Sequence, residues 1–433
     1  MSRPRSRLRA ALSPVLAALV LSSCGAVESG LIGGASTTPT PYAVTAQSPA
    51  VFGAPRPGVI PLAASAVQAS PLAPGTPRRA NVGMARDFVD LTFRNEGGEA
   101  RALLARWEGP ARVRLAAEFA AEAPFLDAYL AELAAITGLE IRRAGALEPS
   151  EIRIRAVRPS RFAEAAPGVL CGSQHAGDWR SLSAFRGGIV DIPADSSPAR
   201  RRICLIEEIA QLLGPVNDLE RAPDSIFNDD GAHVALTPFD RLILRTLYAP
   251  EIQPGMSPEA ARAGALAAMA RLNPAGIHGG APSAPESAAW SSAYRAALAA
   301  HGRDAPGFAS AMARLEAAAA ALPSGDHRRM KTLTTRAAAA LARGDAAAAA
   351  RDAEQARALA RAVGDEAREA EALGLKARAS RASGDPASAS ALAAEARAAA
   401  VRLQRWDLEE SLAEPPAPVA PARLAGGSPA GRR

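Results

Sequence analysis

The stretch CLIEEIAQLLGPVND, residues 204–218, determines the predicted fold. Glu207 and Gln211 are four residues apart, so they share one face of the helix that this apolar-rich stretch predicts. Gly214 allows the chain to turn, and Asn217 can return to the same point in space. The spacing therefore predicts a helix and a loop that together gather three polar side chains.

The residues on either side of this helix predict an α+β domain over residues 82–258. Ser197 and Thr237 are each followed by proline and are typical of helix starts. Residues 123–137 place leucines at helical spacing and predict a further amphipathic helix. Alternating or short apolar runs predict strands at residues 87–93, 111–115, 139–142, 152–155 and 188–192.

The central stretch resembles the zinc-binding motif of the metzincin proteases, H-E-x-x-H-x-x-G-x-x-H. Glu207, Gln211 and Asn217 occupy the three ligand positions, and Gly214 occupies the glycine position. The resemblance covers roughly residues 180–250 in order and spacing. It implies a zincin-like mixed sheet with a central helix.

The resemblance continues beyond the ligand positions. Phe227 occupies the position of the methionine in the Met-turn of those enzymes, and residues 236–248 resemble their closing helix. The strand at 188–192 corresponds to the substrate-binding edge strand that precedes their active-site helix. These correspondences imply a cleft beside that strand.

The ligand positions depart from the family, because Glu207, Gln211 and Asn217 include no histidine. Zinc prefers imidazole or thiolate ligands, and an amide oxygen binds it weakly. Without zinc, water keeps its high pKa, and Glu208 at the position of the general base has no activated nucleophile to assist. Glu208 is thus the one candidate catalytic residue, and we predict neither a metal nor a cofactor.

Two structural interpretations of these side chains stay open. The paired glutamates and the amides of Gln211 and Asn217 could hold a hard cation such as Ca²⁺. Alternatively, the amides form hydrogen bonds that tie helix to loop, while Glu207 and Glu208 pair with nearby arginines.

A longer set of residues resembles domain of unknown function 2927, an uncharacterised family of alphaproteobacterial envelope proteins. This resemblance implies a shared fold and cellular compartment and supplies no activity. The matching residues are Cys204, Glu207, Glu208, Gln211, Leu213, Gly214, Asn217, Asp218, Ser225–Asp230, Leu247, Tyr248, Gly255 and Met256.

The amino terminus is typical of an exported lipoprotein. Residues 1–23 combine a basic start with an apolar stretch over 10–21, too short to span a bilayer. Leu21-Ser22-Ser23-Cys24 resembles the lipobox, which implies that Cys24 becomes the first mature residue and carries acyl chains such as palmitate. The alternative is an ordinary signal peptide with a chance cysteine. Residues 24–80, rich in Pro and Ala, predict a disordered tether.

Cys171 and Cys204 are the only cysteines besides Cys24. In an oxidising envelope they are expected to form a disulfide, the alternative being two buried free thiols. A loop of about thirty residues closed in this way stabilises the fold by roughly 3–4 kcal/mol in the chain-entropy model.

Residues 259–408 are rich in alanine and predict helical hairpins. Gly-Asp pairs at 325, 344, 364 and 384 recur about every twenty residues and divide the segment into helices of about sixteen residues. The resulting unit resembles degenerate tetratricopeptide-like hairpins, with a plain antiparallel bundle as the alternative. Residues 409–433 predict a tail without structure.

The charge gives no support to a nucleic-acid partner. The net charge of +6 falls to +2 without the four arginines of residues 1–23. We expect an envelope lipoprotein, anchored by Cys24 and facing the periplasm, with a non-catalytic zincin-like binding domain and a helical module for a protein or peptide partner. The alternatives are an envelope hydrolase that uses Glu207 or Glu208, and a structural spacer.

Overall fold

The computed structural model describes residues 77, 79–96, 99–158, 171–177, 184–228, 233–281, 283–300, 305–403 and 405–412. The predicted signal peptide, Cys24 and most of the predicted tether lie outside the described residues, as does the tail after residue 412.

The described residues form a mixed α+β fold with a small sheet and many helices. The strands are β1 (Arg106–Trp107), β2 (Ala111–Arg114), β3 (Ile141–Arg143), β4 (Ile152–Val157), β5 (Gly172–His175), β6 (Ala184–Phe185) and β7 (Gly188–Pro193). The helices of the first part are α1 (Asn81–Phe93), α2 (Ala123–Thr137), α3 (Pro198–Leu212), α4 (Pro238–Leu247) and α5 (Pro258–Leu272). The later helices are α6 (Ala288–Ala300), α7 (Ala305–Ala320), α8 (His327–Ala342), α9 (Ala346–Val363), α10 (Glu366–Ala382), α11 (Pro386–Arg402) and α12 (Trp406–Ser411). Within the described ranges, no helix combines the length and apolar character needed to cross a membrane.

Helix α1 occupies residues that we predicted as a strand over 87–93, and that prediction is wrong. Buried Met84, Phe88 and Leu91 are four and three residues apart, which is the period of a helix face. The seven residues 87–93 fit both the two-residue period of a strand and the 3.6-residue period of a helix. Only Met84, upstream of them, favours the helix. The helix packs against α5.

The main sheet has the strand order β3-β2-β4-β7-β5, parallel except for the antiparallel pair β5 and β7. One face of this sheet carries buried apolar side chains such as Ile154 and Val190, and helices α2 and α3 pack on its strands. The strand at 188–193 lies second from the edge, so its predicted place at the edge is wrong. The edge strand is β5, whose pattern Gly-Ser-Gln-His gives no apolar alternation.

Helix α3 is confirmed as predicted by its start and stop signals. The hydroxyl of Ser197 accepts from the Arg200 backbone N–H, and the chain turns at Gly214 with φ of 137°. A disulfide between Cys171 and Cys204 joins the edge strand to this buried helix. The covalent link fixes the end of the sheet beside the central helix.

The first hydrophobic core extends beyond the predicted domain limits. Ala261, Ala265 and Met269 of α5 belong to the same buried cluster as Met84. At the other end, Arg79 is already buried within the fold although we predicted it in the tether. The α+β unit therefore includes residues on both sides of the predicted 82–258.

The Gly-Asp pairs separate the later helices as predicted. The glycines at 344, 364 and 384 adopt φ of 79°, 70° and 79°, a left-handed conformation that ends a helix. Each following aspartate accepts a hydrogen bond from a backbone N–H in the next helix. Helix α12 reaches Ser411, so the first residues of the predicted tail are helical.

Candidate functional site around the central helix

Gln211 lies on α3 with a side chain that is buried and hydrogen bonded. Its amide nitrogen donates to Glu96 Oε1 and to Asp218 Oδ1, both at 3.1 Å. The side chain thereby connects the central helix to the segment after α1 and to the loop that follows α3. Only 3% of Gln211 is exposed, so the amide is part of the interior.

Asn217 connects the same loop to α1. Its amide nitrogen donates to the backbone carbonyl of Asp90 at 3.2 Å. The two amides therefore make the helix-to-loop hydrogen bonds considered in one of the sequence interpretations. Each amide N–H that donates in this way supplies a hydrogen bond to an acceptor within the same fold.

The two glutamates differ in exposure. Glu208 is only 6% exposed, whereas Glu207 is half-buried. A general base must come within hydrogen-bond reach of the proton that it removes from a substrate or water. The burial of Glu208 limits that access.

The residues at the ligand positions do not fit zinc. The amides of Gln211 and Asn217 are oriented by the hydrogen bonds that their nitrogens donate, and neither offers the imidazole or thiolate that zinc prefers. Over the described ranges, no three His, Cys, Asp or Glu side chains are grouped so that they could hold a metal ion.

The carboxyl end of α3 is enclosed by side chains whose contacts with it the sequence analysis did not predict. Trp107 Nε1 donates to the Leu212 carbonyl at 2.6 Å, and His175 Nε2 lies 2.9 Å from the same oxygen. The Tyr248 hydroxyl donates to the Leu213 carbonyl at 2.7 Å. These contacts satisfy carbonyls that a helix end otherwise leaves without partners. Tyr248 was named only through the family resemblance, and for Trp107 the aromatic character was the one signal available.

His175 is held as a neutral imidazole. Its pKa is lowered to about 4, mainly by burial and also by the positive charge of Arg101, while the hydrogen bond to Leu212 opposes the shift. The ring stacks on Phe185 with centroids 3.8 Å apart. Because the Leu212 oxygen can only accept, we assign the proton to Nε2.

We expect the fold to lose stability as the pH falls below about 6.5. An imidazole in the unfolded chain titrates near 6.5, whereas His175 titrates near 4, so the unfolded chain binds the extra proton between these values. The free energy of unfolding should fall by about 2 kcal/mol from pH 7 to pH 5 through this group alone. Urea denaturation at both pH values measures it. His175→Gln should reduce this loss of unfolding free energy, and the exposed control His278→Gln should leave it unchanged. Equal losses in the wild type and both variants would contradict a lowered pKa of His175.

The segment that we predicted by resemblance to occupy the place of a Met-turn is a buried 3₁₀ turn, Ile226–Asn228. Phe227 is fully buried, and its carbonyl accepts from the Leu219 backbone N–H at 2.6 Å. Asp240 at the start of α4 accepts from the Ser225 hydroxyl at 2.7 Å, and burial raises its pKa. Phe227 therefore packs in the core, and no metal site lies above it among the described residues.

A buried ion cluster joins α1 to the loop after α3. We define it as Arg79, Asp87, Asp90, Arg221 and Asp224. Arg221 Nη2 contacts Asp87 Oδ1 at 2.7 Å and also pairs with Asp90. Arg79 pairs with Asp87 and, at 2.9 Å, with Asp224. The cluster fixes the loop that contains Asn217 against α1.

The later helices pack against the same loop. Glu220 accepts from the Ser291 hydroxyl at 3.0 Å and from Arg295 at 3.3 Å. Lys331 Nζ of α8 donates to the Asn228 carbonyl at 3.3 Å. Helix α12 also packs against α3. The helical region therefore covers part of the surroundings of the central helix.

A separate groove of about 410 Å³ lies within the helical region, between α7, α8 and α9. Half-buried Leu333 and Leu359 give it apolar walls, and Arg329 and Arg336 give it charge. This groove was not predicted, because its walls come from three helices whose small-residue patterns look alike.

Residues 81–265 match the model of the family described as "Protein of unknown function (DUF2927)". This match supports the predicted assignment of the α+β domain to that family. No curated protein and no solved structure gives a significant match to the chain.

Proposed function

We propose that this chain is a lipid-anchored envelope protein whose α+β domain is a non-catalytic, zincin-like scaffold and whose helical hairpins bind a protein partner. Cys24 would carry the lipid, and the domain would face the periplasm. The zincin-like part of the proposal is supported by the order of elements along the chain, in which a mixed sheet is followed by a central helix, a loop and a closing helix.

One observation carries the non-catalytic assignment. Gln211 and Asn217, at two of the three ligand positions, donate internal hydrogen bonds to Glu96, Asp218 and the Asp90 carbonyl. These bonds fix both amides within the fold through their nitrogens, and the amide oxygens that remain are weak ligands for zinc. The burial of Glu208 also argues against the hydrolase alternative, because substrate would have to reach an interior carboxylate.

We therefore expect the purified chain to hold no stoichiometric zinc or calcium at this position. Metal analysis after purification without chelator, followed by calorimetric titration with Zn²⁺ and Ca²⁺, measures this directly. Gln211→Ala is expected to lower stability by about 1–3 kcal/mol, because it removes a buried amide together with the hydrogen bonds that it donates to Glu96 and Asp218, and to leave metal content unchanged. The hydrolase alternative would be restored if the wild type held a stoichiometric metal that Gln211→Ala removes. Val363→Ser is the control and should keep the metal content of the wild type.

The groove between α7, α8 and α9 supports the binding part of the proposal. Leu333 and Leu359 present half-buried apolar surface beside Arg329 and the exposed amide of Gln355. An apolar groove with a few polar side chains suits a short peptide segment of a partner. The spacer alternative requires no such groove.

Photo-crosslinking in cells tests this binding site. We expect a crosslinking amino acid in place of Gln355, which lines the groove and is exposed, to give one discrete protein adduct. The same replacement at exposed Arg378, which does not line the groove, is the matched control. Leu359→Glu should remove the adduct because it places a charge in the apolar wall. Adducts of equal yield at both positions, or none at Gln355, would favour the spacer.

A further inference from the structure

The main sheet carries arginines on the face opposite its apolar core. In β2 and β4 the apolar side chains are buried and the intervening arginines are exposed or half-buried. Arg142 of β3 lies on the same side, because its pairing places it beside Arg112. We call this surface the arginine face and define it as Arg112, Arg114, Arg142, Arg153 and Arg155.

Part of the positive charge on this face is balanced by carboxylates. Arg112 pairs with Glu151 and Glu148, and Arg142 pairs with Glu148 and with Glu140. Arg155 makes two hydrogen bonds to Asp191, at 2.7 and 2.8 Å.

Arg114 and Arg153 give the face an excess of one positive charge over these four carboxylates. They are register partners on neighbouring strands, so their side chains emerge side by side. Arg114 donates to the backbone carbonyls of Ala146 and Glu148, and neither arginine pairs with a carboxylate of the described residues. Like charges directly opposite each other on adjacent strands are unfavourable without an anion between them.

A fully exposed leucine stands at the border of this face. The turn at Gly145–Glu148 is closed by a hydrogen bond from the Glu148 N–H to the Gly145 carbonyl at 3.1 Å. Glu148 is held in turn by Arg142, and Arg114 holds the carbonyls on either side of Leu147. Leu147 is 101% exposed, so a braced turn presents its whole side chain to the outside.

We propose that the arginine face docks on a membrane surface that contains anionic phospholipids, with Leu147 entering the interface. Arg114 and Arg153 lie side by side, so their guanidinium groups can meet neighbouring phosphates of one surface at once. Arginine forms paired hydrogen bonds with phosphate oxygens, and an apolar side chain beside basic ones is typical of interfacial binding. A rigid turn binds with little loss of conformational entropy.

The inference does not depend on acylation of Cys24. The test uses the full chain with Cys24→Ser, so that no acyl chain contributes. Co-sedimentation is measured with vesicles of phosphatidylcholine alone and with vesicles that contain equal parts of phosphatidylcholine and phosphatidylglycerol. We expect binding to the anionic vesicles that weakens as salt is added, and little binding to the neutral ones.

Two surface variants locate the binding. Leu147→Ser is expected to weaken binding to anionic vesicles about tenfold, and Arg153→Gln about fivefold. The matched controls are Val363→Ser, which removes another exposed apolar side chain, and Arg262→Gln, which removes the same charge from exposed α5 surface. All four side chains are on the surface, and circular dichroism verifies that each variant folds.

Three results would overturn the proposal. Equal binding to neutral and anionic vesicles would exclude recognition of anionic headgroups. If Arg262→Gln or Val363→Ser lost as much vesicle binding as Arg153→Gln or Leu147→Ser, the attraction would be non-specific. If the chain bound no vesicles at all, the arginine face would not be a membrane site, and an acidic protein surface would be the occupant to test instead.

Discussion

Replacing Asp87 by alanine is expected to lower the free energy of unfolding by about 3–5 kcal/mol. Asp87 is completely buried and contacts Arg79, Arg221 and the Ser283 hydroxyl. Without its carboxylate, Arg79 keeps Asp224 and Arg221 keeps Asp90, but both guanidinium groups lose their shared interior counter-charge. Urea denaturation followed by circular dichroism measures the loss.

Asp127→Ala is the matched control for that prediction. Asp127 also makes two hydrogen bonds to an arginine, Arg143, at 2.7 Å each, but both side chains are exposed. Exposed pairs contribute about 0–1 kcal/mol, so burial is the variable that differs. If Asp87→Ala costs no more than Asp127→Ala, the buried ion cluster does not stabilise the fold.

Cys24→Ala is expected to abolish stable membrane association of the chain. In the proposed lipoprotein, acyl chains on Cys24 hold the protein in the bilayer, since each buried CH₂ contributes about 0.8 kcal/mol. Fractionation of cells and a high-salt wash measure the result, because salt releases protein held only by surface charge. The wild-type chain should stay in the washed membranes.

Ser22→Ala controls for the change in sequence near the proposed processing site. It keeps a small residue before Cys24, so processing and anchoring should continue. Metabolic labelling with a clickable palmitate analogue should mark the wild type and Ser22→Ala but not Cys24→Ala. A Cys24→Ala chain that remains in the salt-washed membranes would exclude the lipid anchor while leaving the docking of the arginine face open.

The sequence predicted best those features that depend on neighbouring residues. The proline after Ser197 and the capping box of Thr237 and Asp240 set helix starts within one turn. Gly344, Gly364 and Gly384 end helices because the left-handed conformation that they adopt is strained for other residues. In each case, the residues that determine the structure lie within four positions of the feature.

The surroundings of the central helix could not be predicted in the same way. Trp107 and Leu212 are 105 positions apart in the sequence, and Tyr248 reaches the Leu213 carbonyl from 35 positions away. No local pattern states which side chain satisfies which carbonyl. The error over residues 87–93 has a different cause, because a short run of apolar and polar residues satisfied both periods.

The buried ion cluster also has a consequence for folding during synthesis and export. Arg79 bonds to the Ser283 hydroxyl, and Ser283 bonds to Asp87, so the cluster joins segments separated by about two hundred positions. An emerging chain cannot complete this arrangement before residue 283 has been delivered. If the chain is exported as proposed, the α+β domain should stay incomplete, and so still threadable through a translocation channel, until the start of the helical region has followed it.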